Sequence, residues 1–380
     1  KFRRFLWSGG VDNSYGAKVA WVNVCREKKD GGLGLRDVCK LNSILNLKHI
    51  WAIVQSKSQS LWIKWIHTYM LKQRSFWAVN PPTICSWYWR KLLKLRPLAR
   101  TFVKHKIGNG LSTFLWYDNW HPNGPLLEKF GSRVLSDAAL PKEAKVAMVI
   151  RDGDWSWPIA NTRGLMEIRR NMTQLPNPSG ARDVVLWGDS PNGKFNLAYT
   201  WKHCFGSNHC VPWHHLVWFS KATPRLSFIL WLAIQKRLST QDRIYHFTRG
   251  PLACYFCCHA MESHDHLFFE CTYTSFIWQE LQLRMETQLS ASRWEDHIAS
   301  AADAWKGKQP RHIISRICLS ATIYYIWQER NNRVFKDVAK PREQLLSNIV
   351  CIIRNIIGVA WKQDINVQLY MDRWKGTHIP

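Results

Sequence analysis

The chain has 380 residues, room for two or three domains and a sizeable core without a disulfide scaffold. With 46% hydrophobic and 13% aromatic residues, and 23 Trp among the latter, disorder is excluded as the main state. A net charge of +26 points to polyanions, meaning nucleic acid or an anionic membrane surface.

The chain begins at Lys1 rather than Met, and is expected to be a fragment. It opens with no basic–apolar–small secretory pattern. No uncharged apolar run reaches the roughly 18 residues that span a bilayer, and Arg316 and Arg354 interrupt the two best C-terminal candidates. Eleven cysteines, an odd number without a signal, fit an intracellular, reduced protein. Walker A, G-x-G-x-x-G, H-E-x-x-H and G-x-S-x-G patterns are absent. Gly31-Gly32-Leu33-Gly34 lacks a following Lys-Ser/Thr and reads as a turn.

In chain order, Leu41, Ile44, Leu45, Leu47, Trp51 and Val54 predict a helix over 38–54, broken by the polar stretch Gln55 to Ser60. Leu61, Trp62, Trp65, Ile66, Tyr69 and Met70 predict a second helix. Asn80-Pro81-Pro82 breaks it, and Trp87 to Leu95 predicts a third, ending before Pro97. From about residue 105 short strands and turns are expected: a turn at Ile107 to Gly110 and a strand over 111–116. A turn and strand at 152–157 follow, then a hairpin of Val184–Trp187 with Lys194–Leu197. Beyond residue 212 the pattern is helical, with long helices over 313–335 and 342–361. The expectation is an α+β, mainly α protein: a basic helical region 1–104, a mixed region 105–180, a further domain 181–280 and a helical extension 281–380.

The charge is uneven. Residues 1–117 carry 21 basic and 4 acidic side chains. No Asp or Glu lies between Asp37 and Asp118, a gap that holds 13 Lys/Arg with Trp51, Trp62, Trp65, Trp77, Trp87, Trp89 and Trp116. Cations neutralise phosphates and flat rings stack on unpaired bases. Candidate nucleic-acid contacts here are Lys64, Arg90, Lys91, Lys94, Arg96, Lys104 and Lys106. The plainer alternative is a solvated basic face with each Trp in the core.

Residues 254–271 hold Cys254-x2-Cys257-x8-His266-x4-Cys271. Two cysteines at this spacing can grip one Zn²⁺ from a single turn, and the His-x4-Cys pair can close a tetrahedron. Four ligands with no open position describe a structural site. Cys258, His259 and His264 are rival ligands that the spacing does not exclude, and buried free cysteine with surface histidine is the alternative. Cys204 and Cys210 read as packing residues. Lys236, Arg237 and Arg243 are candidate phosphate contacts beside the site, or else cations at helix ends.

These segments resemble the C-terminal zinc-binding region of plant LINE-type (non-LTR) retrotransposon reverse transcriptases. The likeness runs through Phe5-Leu6-Trp7-Ser8-Gly9, Val19-Ala20-Trp21 and Gly31-Gly32-Leu33-Gly34-Leu35. It continues through Ile107 to Gly110 with Phe114 to Trp120, then Asp183 to Trp187 with Gly193-Lys194-Phe195. Pro224 to Trp231, Arg237 to Thr240, and the Cys254, Cys257, Glu262-Ser263, His266-Leu267, Cys271 core complete it. Thr223-Pro224-Arg225 departs from the family's Pro-Pro-Lys, and Cys258-His259 crowds the C-x2-C. The resemblance implies a nuclear, non-catalytic region with structural Zn²⁺, held in a zinc-binding domain of reverse-transcriptase type over 181–280. Its expected partners are nucleic acid (RNA and/or DNA) and the upstream polymerase region, with neither membrane nor small-molecule substrate. It places endonuclease and polymerase palm before Lys1 and leaves only a short tail after Asn331 where an RNase H domain would follow. No Asp-Asp dipeptide is present to serve a polymerase. The alternatives are a decayed element fragment, or a metal-dependent nuclease using Asp118, Asp152, Asp154, Asp183 and Asp189.

Overall fold

The computed structural model describes residues 6–7, 17–55, 60–158, 162–206, 209–248, 252–289, 293–361 and 374. Phe5, Ser8 and Gly9 of the N-terminal motif, and residues 56–59 of the polar break, lie outside the described residues. The described part is mainly helical with two small two-stranded sheets, the expected class. Two compact units divide the chain: Arg36–Ser207, and Lys1–Leu35 with Asn208–Pro380. These cuts differ from the boundaries expected at 104, 180 and 280. For the first two, the physical reason is long-range pairing, described next, that ties residues before 107 to residues after 183.

In the Arg36–Ser207 unit, α1 (Val38–Gln55) starts where Asp37 Oδ1 accepts the amides of Cys39 and Lys40 at 2.8 and 3.1 Å. Ile44, Leu47, Ile50 and Ile53 form its buried stripe. α2 (Leu61–Trp65) runs on into a π turn over Ile66–Leu71, and α3 (Trp87–Lys94) is capped by Ser86. As expected, α3 ends before Pro97. Pro97 takes an early position of a further short helix, Arg96–Arg100, where its missing N–H costs nothing.

Strand β1 (Val103–Lys106) pairs antiparallel with β4 (Val184–Trp187), Val103 opposite Trp187 and Lys106 opposite Val184. Phe102 stacks on Trp187 at 5.0 Å and 2°. Two expectations are thereby corrected. Val184–Trp187 does not form a hairpin with Lys194–Leu197, because α5 (Leu197–Phe205) begins there under an Asn196 cap. Residues 111–116 form only a single antiparallel bridge, Phe114 with Lys145, rather than a strand, because the amides of Ser112 and Thr113 bond Asp183 Oδ2 instead of a neighbouring strand. The expected turn at 152–157 is a small hairpin of β2 (Ile150–Arg151) and β3 (Asp154–Trp155), followed by α4 (Arg163–Met172).

In the other unit, α6 (Pro224–Ile234), α7 (Gln241–Thr248), α8 (Thr272–Met285), α9 (Trp294–Ala304), α10 (Pro310–Lys336) and α11 (Arg342–Ala360) follow in order. The Gly31–Gly34 turn packs on α6: Trp231 Nε1 donates to Gly31 O at 2.8 Å. A Cβ at Gly32 would stand 2.2 Å from Arg26 O, so this position requires glycine. α11 is long and apolar enough, by length and composition, to cross a membrane. Here its Leu345, Leu346, Ile349, Ile353 and Ile357 share a buried cluster with Ile313, Ile317 and Cys318 of α10 and Ile277 and Leu281 of α8.

Candidate metal centre

The segment 253–261 is a tight knuckle closed by the antiparallel bridge Ala253–Met261. Cys254 N–H bonds Ala260 O at 2.8 Å, and Cys258 N–H bonds Cys254 O at 2.9 Å. The chain turns back at Cys258 with φ 59, in the left-handed region. This brings Cys254 and Cys257 to one side, and Phe256 N–H points at Cys254 Sγ, 3.4 Å away.

The second pair comes from a π turn, His266–Glu270. In an α-helix a residue five positions on lies about 140° around the axis. The wider turn, closed by Cys271 N–H to His266 O at 2.8 Å, returns Cys271 to the side of His266. This is the local reason that a His-x4-Cys spacing can serve one site. Cys271 is then the N-cap of α8, where helix amides favour a thiolate.

The four donor atoms of Cys254, Cys257, His266 and Cys271 all lie within 4.8 Å of one another. Cys254 Sγ and Cys271 Sγ are 3.9 Å apart; Cys257 Sγ and His266 Nε2 are 3.3 Å apart. With Zn–S near 2.3 Å, the edge of a regular tetrahedron is about 3.8 Å. The spacing therefore suits one Zn²⁺ held by three sulfurs and His266 Nε2, closed to substrate. The sulfurs also suit it chemically. Cys254 and Cys271 are buried, and the Cys254 thiol is pushed up, first by donating to Cys271 and then by burial, while accepting that bond lowers Cys271. Two such sulfurs become thiolates together only beside a cation.

The rivals fall away on position. Cys258 and His259 are exposed on the knuckle, and the His259 ring bonds the Cys257 carbonyl. His264 is buried between Phe268 and Trp294, outside the four-donor group.

Spacing alone gives no role to the acid in the motif's Glu262-Ser263 pair. Glu262 is fully buried and takes Arg330 of α10 in a forked pair, with Nη2–Oε1 at 2.7 Å and Nε within 3.1 and 3.2 Å of the two oxygens. It also accepts Gln241 N–H at 2.9 Å. Three residues along α10, Arg333 pairs with buried Glu329 and lies over the stacked rings of Phe256 and Tyr273. A buried acid in a basic chain, with Arg-x2-Arg on a distant helix, is the signal that could have suggested this brace.

Of the predicted phosphate contacts, Lys64, Arg90, Lys94, Lys106, Arg237 and Arg243 are exposed. Lys91 is half-buried and leans over Trp87. Lys104 pairs with Asp189 at 3.1 Å, and Lys236 with Glu295. Arg96 is half-buried, bonds Val79 O and covers Phe76; burial, with Arg100 nearby, lowers its pKa to about 10. The five candidate nuclease carboxylates do not form one group among the described residues. Asp118 accepts Phe114 N–H at 2.7 Å and faces His105, while Asp183 is filled by loop donors.

Residues 195–278 match the family described as zinc-binding in reverse transcriptase. The matched span contains all four ligands. The resemblance read from the sequence is thus met where the metal chemistry lies. A protein of Arabidopsis thaliana named "Putative ribonuclease H protein" is 24% identical over 363 residues, 90% of this chain and 56% of its own length. An uncharacterized mitochondrial protein of the same organism is 29% identical over 117 residues, 30% of this chain and 75% of its own. The chain therefore spans little more than half of the longer relative. No solved structure matches it.

Proposed function

We propose that the chain is a non-catalytic, nucleic-acid-binding accessory region of a LINE-type (non-LTR) retrotransposon reverse transcriptase, acting in the nucleus. The single observation behind this reading is the closed three-Cys, one-His group inside the segment that matches a reverse-transcriptase zinc-binding family. When bound, Zn²⁺ supplies cross-linking between knuckle and π turn. The chain's own residues do the rest. Glu262 and Arg330 brace the knuckle on α10, and exposed Lys and Arg neutralise phosphates of template RNA or target DNA. The upstream polymerase would be the protein partner.

The test is fluorescence anisotropy of labelled single-stranded RNA and DNA with the 380-residue chain across a salt series. Contact with four or more phosphates predicts a log–log salt slope of about −3 or steeper. Weak, salt-insensitive binding would contradict the proposal and favour a decayed fragment. The name of the longer relative motivates a second reading, hydrolysis of an RNA–DNA hybrid. Cleavage of such a hybrid with Mg²⁺ or Mn²⁺ would displace the non-catalytic reading.

A further inference from the structure

Most Trp residues of the acid-free stretch are packed. Trp77, Trp89 and Trp116 are buried, and Trp51 and Trp62 are half-buried. Two depart from this. Trp87 is exposed, and Trp65 stands half exposed on α2 in a row with other exposed apolar groups. Leu61, Trp65 and Tyr69 follow one another at four-residue steps and are 81%, 50% and 61% exposed. Four-residue steps place side chains on one helix face. The opposite side carries Ile63, Ile66 and Leu71, all buried. His67 Nε2 lies 2.9 Å from Ile53 O of α1, so the element is held from behind.

Trp65 and Tyr69 are a ring pair, centroids 5.8 Å apart and planes tilted by 36°, rather than one ring covering the other. Lys64 precedes Trp65 and Lys72 follows Tyr69 by three residues, both exposed, and the sequence carries no carboxylate from residue 38 to residue 117. The element passes from α2 into the π turn between the two rings and ends at Lys72, in the left-handed region with φ 49. Exposed indole and phenol faces flanked by cations, in a segment without acids, complement a polyanion that carries flat apolar groups. A protein patch would satisfy the rings but would not require the cations.

We infer that Trp65 and Tyr69 form a stacking platform for unpaired bases, with Lys64 and Lys72 set to take the adjoining phosphates. The inference rests on the nucleic-acid-binding reading and locates it: the occupant is single-stranded RNA or DNA, and the zinc ligands are not part of the platform.

The test compares wild type with Trp65→Ala/Tyr69→Ala, Trp65→Phe and Lys64→Gln/Lys72→Gln. All are read by anisotropy on fluorescein-labelled mixed-sequence 20-mers, single-stranded and duplex. The aromatic double variant should bind the single strand about five- to hundredfold more weakly with its salt slope unchanged. Its duplex affinity should be unaltered, since paired bases offer no free face. Trp65→Phe should retain most of the affinity. The lysine double variant should flatten the single-strand slope by roughly 1.4. Equal thermal melting of the variants would show that the losses are not unfolding.

Wild-type single-strand affinity in the aromatic double variant overturns the platform while leaving nucleic-acid binding in place. Equal losses on single strand and duplex also overturn it. Loss of self-association in that variant with binding intact would assign the face to a second copy, again overturning it. Failure of the wild type to bind either probe removes the underlying functional reading as well.

Discussion

Both carboxylate oxygens of Asp183 are taken by donors: Oδ1 by the amides of Gly108 and Gly110, and Oδ2 by amide and hydroxyl of Ser112 and Thr113. A Cβ at Gly108 would meet Ala181 O at 2.2 Å, so the Gly-Asn-Gly motif exists to let the backbone close on this acid. Burial alone raises the Asp183 carboxyl, but the donors of Gly108, Gly110, Ser112 and Thr113 outweigh it and hold it below the usual Asp range. A carboxyl lowered in the fold stabilises above its unfolded pKa, near 3.9, and that share is lost as pH falls through the folded value. Asp183→Asn should therefore lower stability at pH 7 by about 2 kcal/mol or more, since an amide presents NH₂ to inward-facing donors. It should also flatten the acid limb of a melting-temperature profile below about pH 4. A variant with the wild-type acid limb would show that this carboxylate does not carry it. At this scale the sequence was informative about types and silent about partners. Asp183 reads as a turn or strand-end acid, with a nuclease carboxylate as the lesser alternative. Only the loop that surrounds it, 70 residues and more away in sequence, shows that its oxygens are occupied.

At the scale of elements, periodicity places α1 and α11 to within a residue at each end and α10 to within three, because each carries an apolar stripe long enough to repeat several times. Strand pairing was less legible. Val184–Trp187 reads as a strand by composition, but nothing local says that its partner is Val103–Lys106 rather than the nearer Lys194–Leu197. The π turns were equally hidden, since they differ from α-helix by one residue per turn and leave no compositional mark. The Glu262–Arg330 pair is the fully buried ionic contact that, with Arg333, ties the knuckle to α10. Removing one partner of a fully buried pair costs about 3–5 kcal/mol because the other charge is stranded. Glu262→Gln should lower the melting temperature by about 6–20 °C in a unit of this size. Adding Arg330→Met should restore much of it. Chemical denaturation of wild type, single variant and double variant reads the result. Additive losses in the double variant would mean that the two side chains act separately.

For the molecule as a whole, charge and metal reside in different parts of the sequence. The acid-free run lies in the Arg36–Ser207 unit, and the four ligands lie in the unit that includes Asn208–Pro380. The metal group is accordingly architectural. It would cross-link the knuckle and the π turn, which also bury Phe256, Leu267, Phe268 and Phe269 in one apolar cluster. Composition gives the basic class, and spacing gives the four residues whose donor atoms the fold brings together, because both are local properties of the chain. Which cations are free to meet phosphate was not local. Arg96 turns inward to Val79 and Phe76, whereas Lys64 and Arg90 remain in solvent.

Native mass spectrometry of the freshly purified chain, beside Cys254→Ser and Cys271→Ser, tests the central claim most directly. One Zn²⁺ per wild-type chain, lost in both variants together with about 3 kcal/mol or more of stability, is the predicted result. A metal-free wild-type chain, with melting unchanged by either substitution or by chelator, would contradict it.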